Sequence, residues 1–447
     1  MDPVMKVKNH ILPLLFFCFY AFPTLAQQPD SLHQLKLQSV QVAIEFALEN
    51  NPDLDVYNLN YQKARKEVSI SKSSRYPTVS GTFTGQYNRD LPTSVLPGEI
   101  FGQPGQTIET QFGQEYNFNT GVTISKNILD WQSRMKTKIA EAQVMITEAE
   151  TDLYRQHLSE QVAFYYYTAI ITQKAIQISE KDRSIADSLL FLTRQNFEKG
   201  MVDRSALNHA KINVNNIAQS ISESTSMYDQ AVSSLKILLG LEANADIHFE
   251  DQAAITSAVL PDSPQIEADK ELDLFIQQTD QTLVNVRLQK TAYLPKLSLT
   301  SYWGQQQFRD DFGLSFSDSD WNPYSYIGFS LSVPIFNGFA KRNQVNVAKI
   351  ERSIAQQNLQ QVQIQSEIQD QLLLSNYRNS LSQVESAYDT YQLWDQNRTL
   401  ALQKYEKGLI SLADYFKTFE DYLKAENNYL NTLSSMYSYY STIISRQ

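Results

Sequence analysis

The sequence predicts an α+β fold in which long α-helical rods join a β-barrel whose wall is completed by several copies of the chain. Two stretches without glycine or proline are far longer than an average helix, which indicates rods. Four segments of about ten residues with alternating polarity indicate barrel strands. The whole pattern occurs twice along the chain, which indicates a duplication.

The N-terminal residues 1–26 predict a secretory signal peptide. Lys6 and Lys8 precede an apolar run that ends at Phe22, and small residues follow it up to Ala26. We expect cleavage after Ala26. Cys18 lies within the apolar run but follows a phenylalanine, where a lipoprotein site requires a small residue. Lipidation of the N-terminus is therefore the disfavoured alternative.

The rods are predicted from the positions of glycine and proline, which break helices. Neither residue occurs in four stretches: 122–199, 201–239, 339–407 and 409–447. Within the first stretch, apolar residues recur at steps of three and four, as in coiled-coil packing. A similar seam runs through the last stretch, where Glu426 interrupts it. About 65 residues of continuous helix would reach ~100 Å.

The barrel strands are predicted where glycine and proline crowd together, at about 77–88, 115–127, 295–307 and 324–336. In the first of them, Val79 and Phe83 share one face while Thr82 and Thr84 share the other. The segments between the strands of each pair are rich in Pro and Gly, or in Asp and Ser, which predicts exposed loops.

Matching segments at the helix tips establish the duplication. Residues 196–202 resemble residues 404–410, an offset of 208 (404 minus 196). Gly200 and Gly408 are predicted to close the rods in the left-handed conformation, and Asp203 and Ser411 to cap the returning helices. The predicted organisation is a signal peptide (1–26), a first repeat (27–240), a connector (241–265) and a second repeat (266–447).

Composition excludes several classes of protein. The chain of 447 residues carries 38 basic and 49 acidic residues without a basic patch, so no nucleic acid partner is predicted. A mean hydropathy of -0.38 excludes a helical polytopic membrane protein. One cysteine excludes an intrachain disulfide and a Cys-based zinc site. The histidines are widely separated and no nucleophile motif occurs, so no cofactor, metal or enzymatic activity is expected.

Four strands do not close a barrel, and an open sheet edge in hydrocarbon leaves backbone groups unpaired. A membrane-embedded barrel must therefore be shared between subunits. Two chains would give eight strands and little lumen, whereas three would give twelve strands and a channel. This geometry excludes a monomeric pore and favours three chains over two.

The strand-to-rod junction Val333–Phe339 and the tip Tyr405–Gly408 resemble the TolC-type outer-membrane efflux family, the outer membrane factors. The resemblance implies a homotrimer with a twelve-stranded barrel in the outer membrane of a Gram-negative bacterium. It also implies a coiled-coil tunnel through the periplasm. Such proteins are passive exit ducts of tripartite efflux or type I secretion systems. Their partners are a periplasmic adaptor, an inner-membrane transporter of RND or ABC type, and outer-membrane lipid.

The resemblance also implies a periplasmic gate, because acidic residues just past the second tip line the constriction in this family. Asp414 matches one of them, whereas Lys417 stands where the next acid is found. Asp414 is equally suited to capping its helix together with Ser411, and both roles stay open. The predicted tip and adaptor-docking residues are Gly200, Asp203, Gly408 and Ser411.

Two other classes remain as alternatives. A soluble periplasmic coiled-coil adaptor also has long helical hairpins and some β structure. A secreted enzyme on a helical scaffold is disfavoured because no convergent polar site is evident. The sequence determines neither the cargo nor the class of transporter served.

Overall fold

The computed structural model describes residues 34–102, 104–250 and 264–447. The predicted signal peptide, Cys18 and residues 251–263 of the predicted connector lie outside the described residues. The helices are α1 (Val40–Asn50), α2 (Pro52–Ser73), α3 (Trp131–Glu198), α4 (Arg204–Leu238), α5 (Lys270–Thr291), α6 (Ala340–Glu406) and α7 (Leu412–Ile444). The strands are β1 (Gln34–Leu37), β2 (Thr78–Tyr87), β3 (Thr93–Pro97), β4 (Thr107–Gln111), β5 (Tyr116–Leu129), β6 (Asp246–Phe249), β7 (Lys296–Arg309) and β8 (Asn322–Ser332).

Two helices form the rods. The α3 helix has 68 residues and α6 has 67, so each extends ~100 Å at the helical rise per residue. The α4 helix, with 35 residues, returns along α3, and α7, with 33, returns along α6. None of the described helices contains a stretch that is both long enough and apolar enough for a membrane crossing.

The four predicted strands form one antiparallel sheet in the order β2-β5-β7-β8. Its register aligns apolar side chains on one face, because Val79 pairs with Ile124, Val122 with Trp303, and Leu299 with Phe329. The opposite face is largely polar and carries Ser80, Thr82, Thr123, Thr300 and Ser330. The sheet therefore has one face suited to lipid and one suited to water.

The strands differ from the predicted segments in two places. The last strand ends at Ser332 rather than near residue 336, because Pro334 has no backbone N–H for a ladder hydrogen bond. The predicted loop between the first two strands contains a second hairpin, β3–β4, in which Val95 pairs with Glu109. Loop composition alone gives no sign of this hairpin.

A small two-stranded sheet joins the start of the first repeat to the connector that follows it. The β1 and β6 strands pair in parallel, with Leu35 opposite Ile247 and Leu37 opposite Phe249. Leu37 and Phe249 belong to a core that includes Tyr166 of α3. This unit packs beside the middle of α3.

The end of α7 is anchored to the second rod. The Arg446 side chain is 4 % exposed and its guanidinium pairs with Asp370 of α6. It also donates to the carbonyl oxygen of Glu267, through Nε at 3.0 Å and Nη2 at 2.6 Å. A bidentate, largely buried guanidinium of this kind fixes geometry more firmly than a surface ion pair does. The chain end is therefore held where α5 begins.

Candidate functional site at the helix tips

The first tip turns the chain from α3 to α4. Gly200 has φ +71, in the left-handed region, and the Met201 N–H donates to the Asn196 carbonyl oxygen at 2.8 Å. Asp203 then caps α4, because its Oδ1 accepts the Ala206 N–H at 2.9 Å. Within this short turn the Met201 N–H satisfies the end of α3, and the Asp203 carboxylate satisfies the start of α4.

The second tip repeats this geometry between α6 and α7. Gly408 has φ +69, and the Leu409 N–H donates to the Lys404 carbonyl oxygen at 2.8 Å. The two tips also touch, since Asn196 Nδ2 donates to Tyr405 Oη at 3.4 Å. The structure therefore brings the four predicted tip residues to one end of the rods.

Asp414 lies in the first turn of α7 and forms a capping box with Ser411. The Asp414 N–H donates to Ser411 Oγ at 3.1 Å, and the Ser411 N–H donates to Asp414 Oδ2 at 3.2 Å. The Ser411 hydroxyl also donates to Asp414 Oδ2 at 2.6 Å. These bonds, with Lys417 nearby, hold the pKa of Asp414 below its ordinary value. The stability they provide is present at neutral pH and is lost as the pH falls through this lowered pKa.

Lys417 lies one turn beyond Asp414 and lines an open crevice between α4 and α7. The crevice has a volume of about 330 Å³ and also receives Asp203, His209 and Glu420. Asp414 is exposed and does not line this crevice. The two predicted gate residues are therefore both accessible at the tip, but they lie in different surroundings.

The tips rest on a cluster of aromatic side chains. Tyr415 and Phe419 are fully buried, and their rings are stacked with centroids 6.2 Å apart. Tyr405 of α6 stacks on Tyr415, also at 6.2 Å. Large buried rings contribute much of the local packing energy. The first turns of α7 therefore pack on a buried aromatic cluster, while the tip residues themselves are exposed.

A buried polar network farther up the rods did not emerge from the sequence. It joins Asp182 of α3 to Glu426 and Tyr422 of α7, with Arg398 of α6 beside them. The only sequence signal was the interruption of the α7 apolar seam at Glu426. A helical pattern does not tell which distant side chain meets such a residue.

These features define a class of protein: a subunit with a four-stranded, two-faced sheet at one end of ~100 Å helical rods and tight paired turns at the other. The same fold is found in solved structures of outer membrane channels. That of Campylobacter jejuni CmeC aligns with 91% of this chain and 85% of its own, at 20% identity and a TM-score of 0.73. The open state of Neisseria gonorrhoeae MtrE aligns with 91% and 88%, at 16% identity and a TM-score of 0.72.

The chain belongs to the outer membrane efflux protein family, whose model matches residues 43–241 and 266–443. Membership confirms the predicted resemblance and the predicted location in the outer membrane. It also decides against the soluble periplasmic adaptor that the helical hairpins alone leave open.

The named relatives are distant in sequence. The probable efflux pump outer membrane protein TtgC of Pseudomonas putida is 25% identical over 330 residues, which covers 71% of this chain. The cation efflux system protein CusC of Escherichia coli is 27% identical over 372 residues, covering 79% of this chain and 73% of CusC. The matched region spans 63% of the length of TtgC, which is less than two thirds.

Proposed function

We propose that this protein is the exit duct of a tripartite efflux or type I secretion system. Three copies form a twelve-stranded barrel in the outer membrane and a coiled-coil tunnel in the periplasm. Cargo passes through the lumen without chemical change. Energy comes from a partner, because the sequence has no nucleotide-binding loop.

The four-stranded sheet carries this proposal. Among the described residues, the outer edges of β2 and β8 have no strand beside them within the chain. An unpaired edge in hydrocarbon is costly, and closure with neighbouring subunits removes it. The apolar face with Val79, Ile124, Trp303 and Phe329 then faces lipid, and the polar face lines the lumen.

The rods support the same assembly. Exposed apolar side chains follow α6 at helical spacing, namely Val347, Ile350, Ile354, Ile364, Ile368 and Leu372. Apolar rows of this kind on a long helix are characteristic of interfaces between packed helices. In the trimer they pack against the neighbouring subunit and close the tunnel wall.

The gate of the duct lies at the tips of α4 and α7. Three copies of Asp414 around the axis would repel one another and attract cations, which gives a selective constriction. Lys417 supplies the opposite charge one turn away and can form a pair between subunits. The gate opens when the tips rearrange relative to the buried aromatic cluster that supports them.

The outer rim of the tips is the docking site for a periplasmic adaptor. Gly200 and Gly408 leave backbone exposed at the turns, and Asp203 and Ser411 hold the returning helices in place. The adaptor connects the duct to an inner-membrane transporter of RND or ABC type. Relatives named for toluene, antibiotics and cations match this chain at similar identity, so no single cargo is assigned.

Three measurements on the full-length protein test this function. Native mass spectrometry of detergent-solubilised protein should give a trimer, and planar lipid bilayers should show discrete single-channel conductance. A water-soluble monomer that gives no conductance would contradict the proposal. Affinity purification from the native membrane should recover an adaptor together with an inner-membrane transporter, whose class then identifies the system.

A further inference from the structure

Two buried carboxyl groups meet where the two structural repeats pack together. Asp182 of α3 is 2 % exposed and Glu426 of α7 is 3 % exposed. The two carboxyl groups are within hydrogen-bonding reach of each other. They line a partly open cavity of about 400 Å³ between α3, α4 and α7. Two ionised carboxylates in such a place would repel each other with little solvent to screen them.

The hydrogen bonds around the pair need one proton. Tyr422 Oη donates to both carboxylate oxygens of Asp182, at 3.2 Å and 3.4 Å, so Asp182 is the acceptor. Glu426 Oε2 is buried and has no hydrogen-bond partner. A proton on Glu426 converts it to a donor toward Asp182 and removes the unpaired charge.

Nearby charges do not remove the need for this proton. Those facing the pair come from α6 and α7: Tyr391, Asp395, Arg398, Glu420, Tyr422 and Lys424. Arg398 is engaged by Asp395 through its Nε at 3.1 Å and lies over the Tyr422 ring at 4.7 Å. The α4 helix lines the cavity with uncharged side chains, among them Asn213, whose Nδ2 has no partner.

The arrangement does not suit a metal ion. Asp182 and Glu426 are the carboxyl groups that meet, Asp395 is bound to Arg398, and the cations Arg398 and Lys424 lie close by. Across the described parts of the chain, no group of three or more His, Cys, Asp or Glu side chains is placed to hold a metal. The proton is therefore the cation that fits.

We propose that Asp182 and Glu426 form a proton-dependent latch that holds the returning helix α7 against the rod α3. When Glu426 is protonated, it donates a hydrogen bond to the ionised Asp182, and this bond links the two repeats. Without it, two buried negative charges push α7 away from α3. Glu426 lies twelve residues after Asp414 (426 minus 414), so the latch acts on the helix that carries the tip.

The direction of the pH effect follows from the burial of the pair. Burial and the adjacent Asp182 raise the pKa of Glu426 to about 9 from an ordinary 4.5. The folded protein therefore binds the proton more tightly than the unfolded chain does. The stability of the α3–α7 contact is greatest below the ordinary pKa and declines as the pH rises toward about 9.

Thermal unfolding of the trimer in detergent tests the latch. The wild-type melting temperature should fall as the buffer is raised from about pH 5 to about pH 9. Glu426→Gln replaces the protonated acid with a neutral isostere, so it should melt several degrees above wild type near the alkaline limit and lose most of the pH dependence. Glu180→Gln, at an exposed position of α3 that does not line the cavity, is the matched control and should retain the wild-type pH dependence.

Hydrogen–deuterium exchange at one alkaline pH provides a second readout. Amides of α7 between residues 412 and 430 should be better protected in Glu426→Gln than in wild type. If Glu426→Gln does not assemble, Asp182→Asn removes the same charge repulsion from α3 and is measured instead. An assembled variant would overturn the latch if its melting temperature had the wild-type pH dependence and its α7 amides exchanged at the wild-type rate. Both measurements can be made on whichever oligomer the purified protein forms, and neither requires conduction, so the result does not depend on whether the protein conducts.

Discussion

At the residue scale, Asp414 serves a structural purpose whatever its role in gating. It exchanges hydrogen bonds with Ser411 at the start of α7, and these bonds account for its lowered pKa. A carboxylate that caps a helix is fixed in position, which also suits a charge that must stand at a constriction. The capping role and the gating role of Asp414 can therefore be separated only by comparing variants that remove the charge with variants that weaken the cap.

Removal of the Asp414 charge should loosen the gate. Asp414→Ala is expected to raise leak conductance or weaken cation block in single-channel recordings, because the charged ring at the constriction is lost. Ser411→Ala is the matched control, since it weakens the cap by ~1 kcal/mol but keeps the carboxylate. Recordings of Asp414→Ala that match those of Ser411→Ala and wild type would show that Asp414 only caps the helix.

The tip glycines should resist substitution because of their backbone conformation. Gly408 has φ +69 and nothing within 4 Å of an added Cβ, so the cost of a side chain there comes from the backbone alone. Gly408→Ala should lower the free energy of unfolding by ~1 kcal/mol, measured by chemical denaturation. Gly408→Asn should cost less, because asparagine tolerates the left-handed region. Equal effects of the two substitutions would contradict this explanation.

At the element scale, the sheet contains a close approach that only glycine permits. Gly121 of β5 lies opposite Gly304 of β7, and the Tyr302 ring covers both. A Cβ on Gly121 would stand 2.7 Å from the Trp303 carbonyl oxygen, and one on Gly304 would stand 2.5 Å from the Thr120 carbonyl oxygen. Backbone atoms in a ladder cannot move aside as a side chain can.

Gly304→Ala should therefore reduce the yield of heat-resistant trimer, measured by the mobility of unheated samples in gels. Gly328→Ala is the control, because its nearest neighbour is Tyr326 at 4.0 Å. Tyr302→Ala in the Gly304→Ala background should recover little, since the backbone clash with Thr120 remains. Full recovery of the trimer yield in the double variant would mean that the Tyr302 ring alone, and not the backbone of the neighbouring strand, excludes a side chain at Gly304.

At the scale of the whole molecule, the two faces of the sheet determine how the protein sits in the membrane. Phe329 and Ser330 are consecutive on β8, so their side chains point to opposite faces. Phe329 lies on the apolar face and Ser330 on the polar face. The proposed barrel places the first in lipid and the second in the lumen.

Arginine substitution at these neighbouring positions should have unequal effects. Phe329→Arg is expected to destabilise the membrane-inserted protein by ~1–2 kcal/mol, because a charge on the lipid-facing side of the barrel is desolvated. Ser330→Arg should be tolerated and should alter ion selectivity instead. Outer-membrane trimer abundance and single-channel reversal potentials measure the two effects. Equal loss of trimer in both variants would contradict a barrel with this orientation.

Local sequence determined the rods, their turns and the alternation of the strands. Each of these features is specified by neighbouring residues. Examples are a helix without glycine or proline, a left-handed glycine such as Gly200, and a strand of period two. A barrel shared between subunits was inferred from closure of the sheet, the homotrimer was implied by the family resemblance, and Asp414 was recognised as a candidate cap from its spacing to Ser411.

Tertiary structure alone decided which distant residues meet. The parallel pairing of β1 with β6, the Tyr302 ring over Gly121 and Gly304, and the burial of Glu426 against Asp182 join residues that are remote in sequence or lie on different elements. Periodicity specifies which face of an element is buried, but not which partner covers it. A glutamate in an apolar seam therefore becomes a proton-binding group only when packing removes its water and sets a second carboxyl group beside it.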